Sequence, residues 1–381
     1  MKIGIDCRIF SPRFTGLGRY TSELVNRIVK LNNELVYPHT IVLFFNTAEY
    51  QTYKTPKNVE KVLVNAKHYS IKEQTVFLYK LYKAHLDLAF FPHFNAPIFY
   101  RRPYVVTIHD LTLSFFHGRK MTKWYHRLAY NLTIKNVTKK AEKILTISKN
   151  TKQDLIKILN IDPEKIEVIY NGVSPIFRLI DNPNVSAKTL KKYKIKQQFL
   201  LYAGVWRSHK NLARLIEAFS ILKKEKNLNL QLVITGKPDP YYPEVRNTVK
   251  KFDLQDDVIF TGLVDEEELL HLYNAAHIFV FPSLYEGFGL PPLEAMRCGT
   301  PVVASNTSSI PEICGKENAV FFNPYNIKDI AEKIELVYKD PDLQAKLVTN
   351  GIQYSSGFSW GRTAKKTFYI LQRCLNRSKN S

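Results

Sequence analysis

The sequence predicts an α/β protein made of two doubly wound domains in tandem. Three observations carry that prediction. Buried-strand and amphipathic-helix patterns alternate along the chain, the alternation breaks once near residue 175, and 381 residues exceed what one ordinary hydrophobic core holds. Alternation of this kind implies parallel sheets with helices on both faces.

In the first half, "KIGIDCRIF" reads as a strand and "GRYTSELVNRIVKLN" as an amphipathic helix. "HTIVLFFN", "KVLVNA", "LDLAFFP", "PYVVTIHD" and "KILTIS" follow as buried strands. Asn171, Gly172 and Pro175 break the pattern within "EVIYNGVSPIFR", and the polar stretch "DNPNVSAKTLKKYKI" reads as a linker. A second series then runs from "FLLYAGVW" through "LQLVITG", "VIFTGLV", "IFVFPS", "PVVAS" and "AVFFNP", with helical segments such as "NLARLIEAFSILKKE" between them. The domains are placed at 1–175 and 176–359, and a helix over about 360–381 is expected to pack back on the first.

Composition narrows the classes. Apolar content of 45% indicates a globular chain. The longest apolar runs are strand-length, well short of the roughly 20 residues a membrane-crossing helix needs. Asp6 and Arg8 interrupt any signal-peptide core, and the four cysteines show no CxxC spacing, so a reduced, cytoplasmic protein is expected. The net charge of +21 is uneven: residues 1–175 carry +14, and residues 67–149 alone carry +11. There, in "IKEQTVFLYKLYKAHL", "YRRPY" and "GRKMTKWYHR", cations alternate with aromatic residues. Such a surface suits an anionic membrane face, a polyanionic substrate or nucleic acid, although a plain solvated basic face has the same composition. No nucleic-acid-binding signature accompanies the charge, so nucleic acid is not expected as a partner.

Three loops carry chemistry. Ligands of open α/β sheets sit outside the carboxyl ends of the strands, where loops lead into helices. In "SPRFTGLGRYTSEL", Gly16 and Gly18 follow the first strand and precede a helix, where backbone N–H groups can approach a phosphate. A tight turn would have the same glycines, and the full dinucleotide fingerprint is absent. In "YAGVWRSHKNLARLIEAF", Arg207 and Lys210 lie beside a helix opened by Asn211, an arrangement suited to a diphosphate or to two solvated cations.

The third loop, "SLYEGFGLPPLEA", is the most specific. Pro291 and Pro292 fit the first positions of a helix, where a missing N–H costs nothing. Phe288, Gly289 and Leu290 can then aim N–H groups at a ligand oxygen. Glu286 and Glu294 bracket this turn, and carboxylates accept hydrogen bonds from vicinal hydroxyls of ribose or another polyol. No metal-ligand cluster accompanies them, and Asp340-Pro341-Asp342 reads as a helix cap, so no metal site is expected.

Together these motifs resemble the retaining glycosyltransferases of GT-B fold and GT4 type, which carry an E-x7-E motif. The resemblance extends over nearly the whole chain and includes "VVTIHDL", "ILTISKNTKQDL", "VIYNGVSPIF" and "SSIPEI". It implies two Rossmann-like domains facing across a cleft, with the nucleotide-sugar on the C-terminal domain and the acceptor on the N-terminal one. Glu286 would contact donor-sugar hydroxyls, and Glu294 the ribose. Phe288, Gly289, Leu290 and Gly236 would line the donor site, and Lys210 would hold the diphosphate. Gly16 and Gly18 would face the donor phosphates, and His109 the transferring sugar. Many relatives have an arginine where this chain has Val205, and Arg207 would replace that charge from two residues on. Transfer would proceed at the front face with retention and without a metal or other cofactor. The opening and the "WRSHKNL" loop are most similar to bacterial enzymes that use GDP-mannose in surface polysaccharide or lipopolysaccharide assembly, with UDP-hexoses as alternative donors. The implied acceptor is a lipid-linked glycan at the inner face of the cytoplasmic membrane. A distant alternative is a non-catalytic nucleotide-sugar or polyanion binding protein.

Overall fold

A computed structural model describes residues 1–11, 15–116 and 124–377. The chain divides into two compact units, Met1–Leu111 with Met121–Gly172 and Ser359–Ser381, and Thr112–Lys120 with Val173–Phe358.

The first unit is built on β1 (Lys2–Asp6), β2 (Thr40–Phe45), β3 (Val59–Leu63), β4 (Leu88–Phe91), β5 (Tyr104–Ile108), β6 (Lys143–Thr146) and β7 (Ile166–Val168). They form one parallel sheet in the order β3-β2-β1-β4-β5-β6-β7. The central strands β4 and β5 are buried at every position and apolar apart from Thr107, because helices cover both faces. The second unit holds β8 (Phe199–Tyr202), β9 (Gln231–Thr235), β10 (Val258–Gly262), β11 (Ile278–Phe281), β12 (Val302–Ser305) and β13 (Val320–Phe322). Their parallel order is β10-β9-β8-β11-β12-β13. In each sheet the strand order reverses at one point, between β1 and β4 and between β8 and β11. Right-handed crossovers then carry the helices to opposite faces on either side of that point.

The expected strands are all present, and the structure adds β7. Its three residues are too few to show a pattern, and it takes its place only by pairing with the edge of β6. The expected linker is not one. Pro183–Ser186 forms a short 3-10 turn and Ala187–Lys192 a helix. Both are tied to the helix Glu266–Ala275: Thr189 Oγ1 bonds His271 Nδ1 at 2.9 Å, and Tyr193 donates to Glu268 at 2.9 Å. Gly16 and Gly18 also differ from expectation. They lie inside the first turn of the helix Thr15–Asn33, not ahead of it. Gly18 is required there, since a Cβ would fall 1.8 Å from the Ser11 carbonyl oxygen, whereas Gly16 has open space around it. Residues 12–14 and 118–123, parts of "SPRFTGLG" and "GRKMTKWYHR", lie outside the described residues.

The C-terminal helix Trp360–Arg377 belongs to the first unit, where it packs along the helix Thr15–Asn33. Trp360 is buried, and Thr363 donates to the Tyr170 carbonyl at 2.8 Å.

Candidate functional site

In the second unit the switch point between β8 and β11 sets the site. β8 ends at Tyr202, and its loop runs to Asn211 at the start of the helix Leu212–Lys224. β11 ends at Phe281, and its loop runs to the helix Leu290–Arg297. The two loops are joined directly. Leu284 N–H donates to the His209 carbonyl at 2.7 Å. The side chain of Asn211 does not cap its helix. Its amide donates to the carbonyls of Pro282 at 3.1 Å and Pro324 at 2.8 Å.

This bracing places Lys210 Nζ 2.5 Å from Glu286 Oε1. The two side chains retain 14% and 13% exposure, so they are screened from bulk water yet remain reachable by a ligand. Tyr202 lies close by, donating to the Val205 carbonyl at 3.2 Å. Burial, and after it the Glu286 carboxylate, pushes its phenol well above the ordinary value. Arg207 is exposed and makes no ion pair among the described residues.

Glu294 faces inward from the helix Leu290–Arg297. It is buried, and Tyr273 donates to its Oε2 at 3.1 Å. Leu290 takes the first helical position, and Pro291 and Pro292 the next two. The two prolines remove N–H groups from the first turn, so the donors there come from Leu290 and the loop before it. Gly289 has φ 105°, a left-handed value that favours glycine. Gly236, after β9, also has a left-handed φ, and a Cβ on it would lie 1.9 Å from the Gly204 carbonyl oxygen.

The loop after β12 grips this turn from behind. Thr307 donates to the Leu284 carbonyl at 2.9 Å, Glu286 N–H donates to Ser308 Oγ at 3.0 Å, and Ser309 Oγ lies 2.9 Å from the carbonyl oxygens of both Glu286 and Phe288. The structure thus brings together Lys210, Glu286, Phe288, Gly289 and Leu290. It adds Asn211, Tyr202, Tyr273, Thr307, Ser308 and Ser309, whose site roles the sequence reading does not assign. Ser308 and Ser309 lie in "SSIPEI", a motif that marked their segment but not their hydroxyls.

In the first unit, His109 follows β5. Its Nε2 is 2.8 Å from the Pro92 carbonyl, which only accepts, so Nε2 holds the proton and Nδ1 is left as an acceptor. Tyr20 meets the ring edge-on at 4.5 Å, and His93 stacks on it at 6.3 Å. His68 lies 6.4 Å beyond His93. Beneath them Arg8 is fully buried, held by Asp6 at 2.7 Å and Glu73 at 2.8 Å.

Residues 186–354 match the family profile described as Glycosyl transferases group 1, and residues 14–176 match Glycosyltransferase Family 4. The chain belongs to the GT4-type glycosyltransferases. The serotype-specific mannosyltransferase WbdA of Escherichia coli is 34% identical over 245 residues, 64% of this chain and 30% of that protein. The chain therefore spans about 30% of the length of the WbdA relatives it matches. The O-antigen chain mannosyltransferase B of Escherichia coli is 26% identical over 384 residues, 96% of this chain and 98% of that protein. Among solved structures, the sucrose-phosphate synthase of Thermosynechococcus elongatus superposes with a TM-score of 0.78 at 19% identity, covering 99% of this chain and 100% of that one. That likeness is one of fold, and the fold is GT-B.

In this GT4-type chain the three neighbouring imidazoles have a thermodynamic consequence. Burial, and after it Arg8, lowers His68 to about 4, with Asp6 opposing. Burial, then His109, His68 and Arg8, holds His93 well below the ordinary value. His109 is lowered by burial, with the Pro92 carbonyl and Asp110 opposing. Histidines of the unfolded chain titrate near 6.5 and so bind more protons than the native ones below that pH. This part of the stability is complete above about pH 7 and is lost as pH falls through 6.5 toward 4. The thermal midpoint is expected to drop between pH 7 and 5, and His93→Gln to make the drop shallower. A flat midpoint across that window would contradict this.

Proposed function

We propose that the protein is a retaining hexosyltransferase, independent of metal, that moves mannose from GDP-mannose to a hydroxyl of a lipid-linked glycan during polysaccharide or lipopolysaccharide assembly. The observation that carries this reading is the pairing of Lys210 with Glu286 at the switch point of the second sheet. A compact cation there suits the oxygens of a departing β-phosphate, and a carboxylate beside it suits the hydroxyls of the sugar. Tyr273 bonds one oxygen of Glu294, and the reading assigns the carboxylate to the ribose. Gly289 and Leu290 supply N–H donors, Arg207 a second cation, and Gly236 the close backbone approach beside them. Phe288 gives its carbonyl to Ser309 and is assigned to the same wall.

Retention fits front-face attack, in which the leaving phosphate oxygen accepts the proton of the acceptor hydroxyl as the sugar–phosphate bond breaks. In the first unit, neutral His109 offers Nδ1 to a sugar hydroxyl, and the reading assigns the first-turn amides at Gly16 and Gly18 to phosphate. The similarity to a serotype-specific mannosyltransferase and to an O-antigen chain mannosyltransferase supports mannose and polysaccharide synthesis.

A donor panel tests the reading: GDP-mannose, UDP-glucose, UDP-galactose, UDP-GlcNAc and ADP-sugars, each with and without EDTA. GDP release from GDP-mannose is expected to exceed all others and to survive chelation, with the product keeping the donor's anomeric configuration by NMR. Preference for a UDP-sugar would reassign the donor, and an inverted product would remove the front-face step. Tight donor binding without turnover would leave only a binding protein.

The reading also places the protein as a peripheral protein on an anionic membrane surface at the cytoplasmic side. No helix among the described residues is long and apolar enough to cross a membrane. On the first unit, however, Ile71, Tyr79, Phe99 and Leu132 are exposed beside Lys83, Arg101, Lys135 and Lys139. Their elements are tied together, because Tyr82 donates to the Phe99 carbonyl at 3.3 Å and Lys140 to that of Ile98 at 2.9 Å. Exposed rings among cations suit an anionic headgroup layer. Liposome sedimentation is expected to show binding to vesicles containing anionic lipid, little to neutral vesicles, and weakening in high salt. Equal binding to both vesicle types, or none to either, would contradict it.

A further inference from the structure

Ser309 occupies the N-cap position of the helix Ile310–Cys314, yet its side chain makes no capping bond. Serine at this position normally accepts from the helix's own N–H groups. Here Oγ turns the other way and lies 2.9 Å from the carbonyl oxygens of Glu286 and Phe288. Its one hydroxyl proton is shared between two acceptors on a neighbouring loop. The preceding residue is strained to allow this: Ser308 has φ 53°, an uncommon conformation for a residue with a side chain, while its Oγ accepts from Glu286 N–H at 3.0 Å.

The consequence follows from peptide geometry. The described chain has no cis peptide bonds. In a trans peptide the C=O and the following N–H point in opposite directions. With the carbonyls of Glu286 and Phe288 drawn to Ser309, the N–H groups of Gly287 and Gly289 are turned away from it. Both glycines are buried, and no acceptor for either N–H is present among the described residues. Buried backbone N–H groups are almost always paired, so a pair turned to one side marks a place for an acceptor.

We propose that Ser309 is a positioning residue that fixes two peptide planes of the 286–289 loop, so that the N–H groups of Gly287 and Gly289 bind an anionic oxygen of the nucleotide-sugar. This rests on the functional reading above and adds to it the residue that holds the loop's amides in register with Lys210. The hydroxyl acts from behind the loop and touches no substrate.

The experiment is NMR on the full chain with ¹⁵N-labelled glycine, which gives 15 signals at most. GDP and UDP are the probes, and affinity is measured by calorimetry in parallel. In the wild type the Gly287 and Gly289 amide signals are expected to move downfield on addition of the nucleotide that binds. In Ser309→Ala that movement should be lost, with affinity reduced about tenfold or more. If Ser309→Ala does not fold, Ser309→Cys, near-isosteric with a weaker donor, is expected to show the same loss. Tight binding without movement of these two signals would overturn the proposal, as would unchanged movement in the variants. A wild type that binds neither nucleotide would instead overturn the functional reading itself.

Discussion

Lys210 and Glu286 meet because two adjacent parallel strands send their chains to opposite faces of one sheet. β8 and β11 are hydrogen-bonded neighbours, but the helix after β8 and the helix after β11 leave in different directions. The loops between them must cross the gap at the sheet's carboxyl edge. The His209–Leu284 and Asn211–Pro282 hydrogen bonds stitch those loops together, and the ion pair closes the gap. The other features of the second unit's site take their places from that constraint. The turn at Gly289, the proline-led helix behind it and the hydroxyls of residues 307–309 all hold the 286–289 segment against the β8 loop.

The two switch points carry charge of different kinds. In the first unit, Arg8 is fully buried between Asp6 and Glu73, with its guanidinium carbon 4.0 Å above the Phe77 ring and Nη2 3.1 Å from the Asn95 carbonyl. A buried charge triad of this kind ties the loop after β1 to residues 73 and 95, and burial of its charges makes it weak evidence of net stability. The pair in the second unit is partly exposed and joined by one contact, so it can exchange partners. The difference in burial, not the residue types, separates a structural charge cluster from a candidate ligand site.

Much of this was legible in the sequence. Strands buried on both faces announce themselves as apolar runs, and alternation with amphipathic helices gives the parallel sheets. β7 stayed hidden because three residues carry no period, and residues 183–192 read as a linker because their order comes from contacts with a helix some 80 positions later. At the site, Glu286, Glu294 and Lys210 stand out because charged residues around a glycine- and proline-marked helix start have few structural uses. Asn211, Ser308 and Ser309 did not stand out. As turn and cap residues they look ordinary, and only the fold shows that their side chains bond to a neighbouring loop. Tyr202 and Tyr273 read as strand and helix core, which they also are.

The central claim is that Lys210 and Glu286 divide a ligand between them, the lysine taking the diphosphate and the glutamate the sugar. Calorimetric titration of GDP and of GDP-mannose into wild type, Lys210→Met and Glu286→Gln tests it most directly. The account predicts that Lys210→Met weakens both ligands by about ten- to a hundredfold. Glu286→Gln should leave GDP as tight or tighter, since it removes a competing anion, and should lose only the additional affinity conferred by the sugar. If both variants weakened GDP alike, the pair would be a structural ion pair and the account would be wrong.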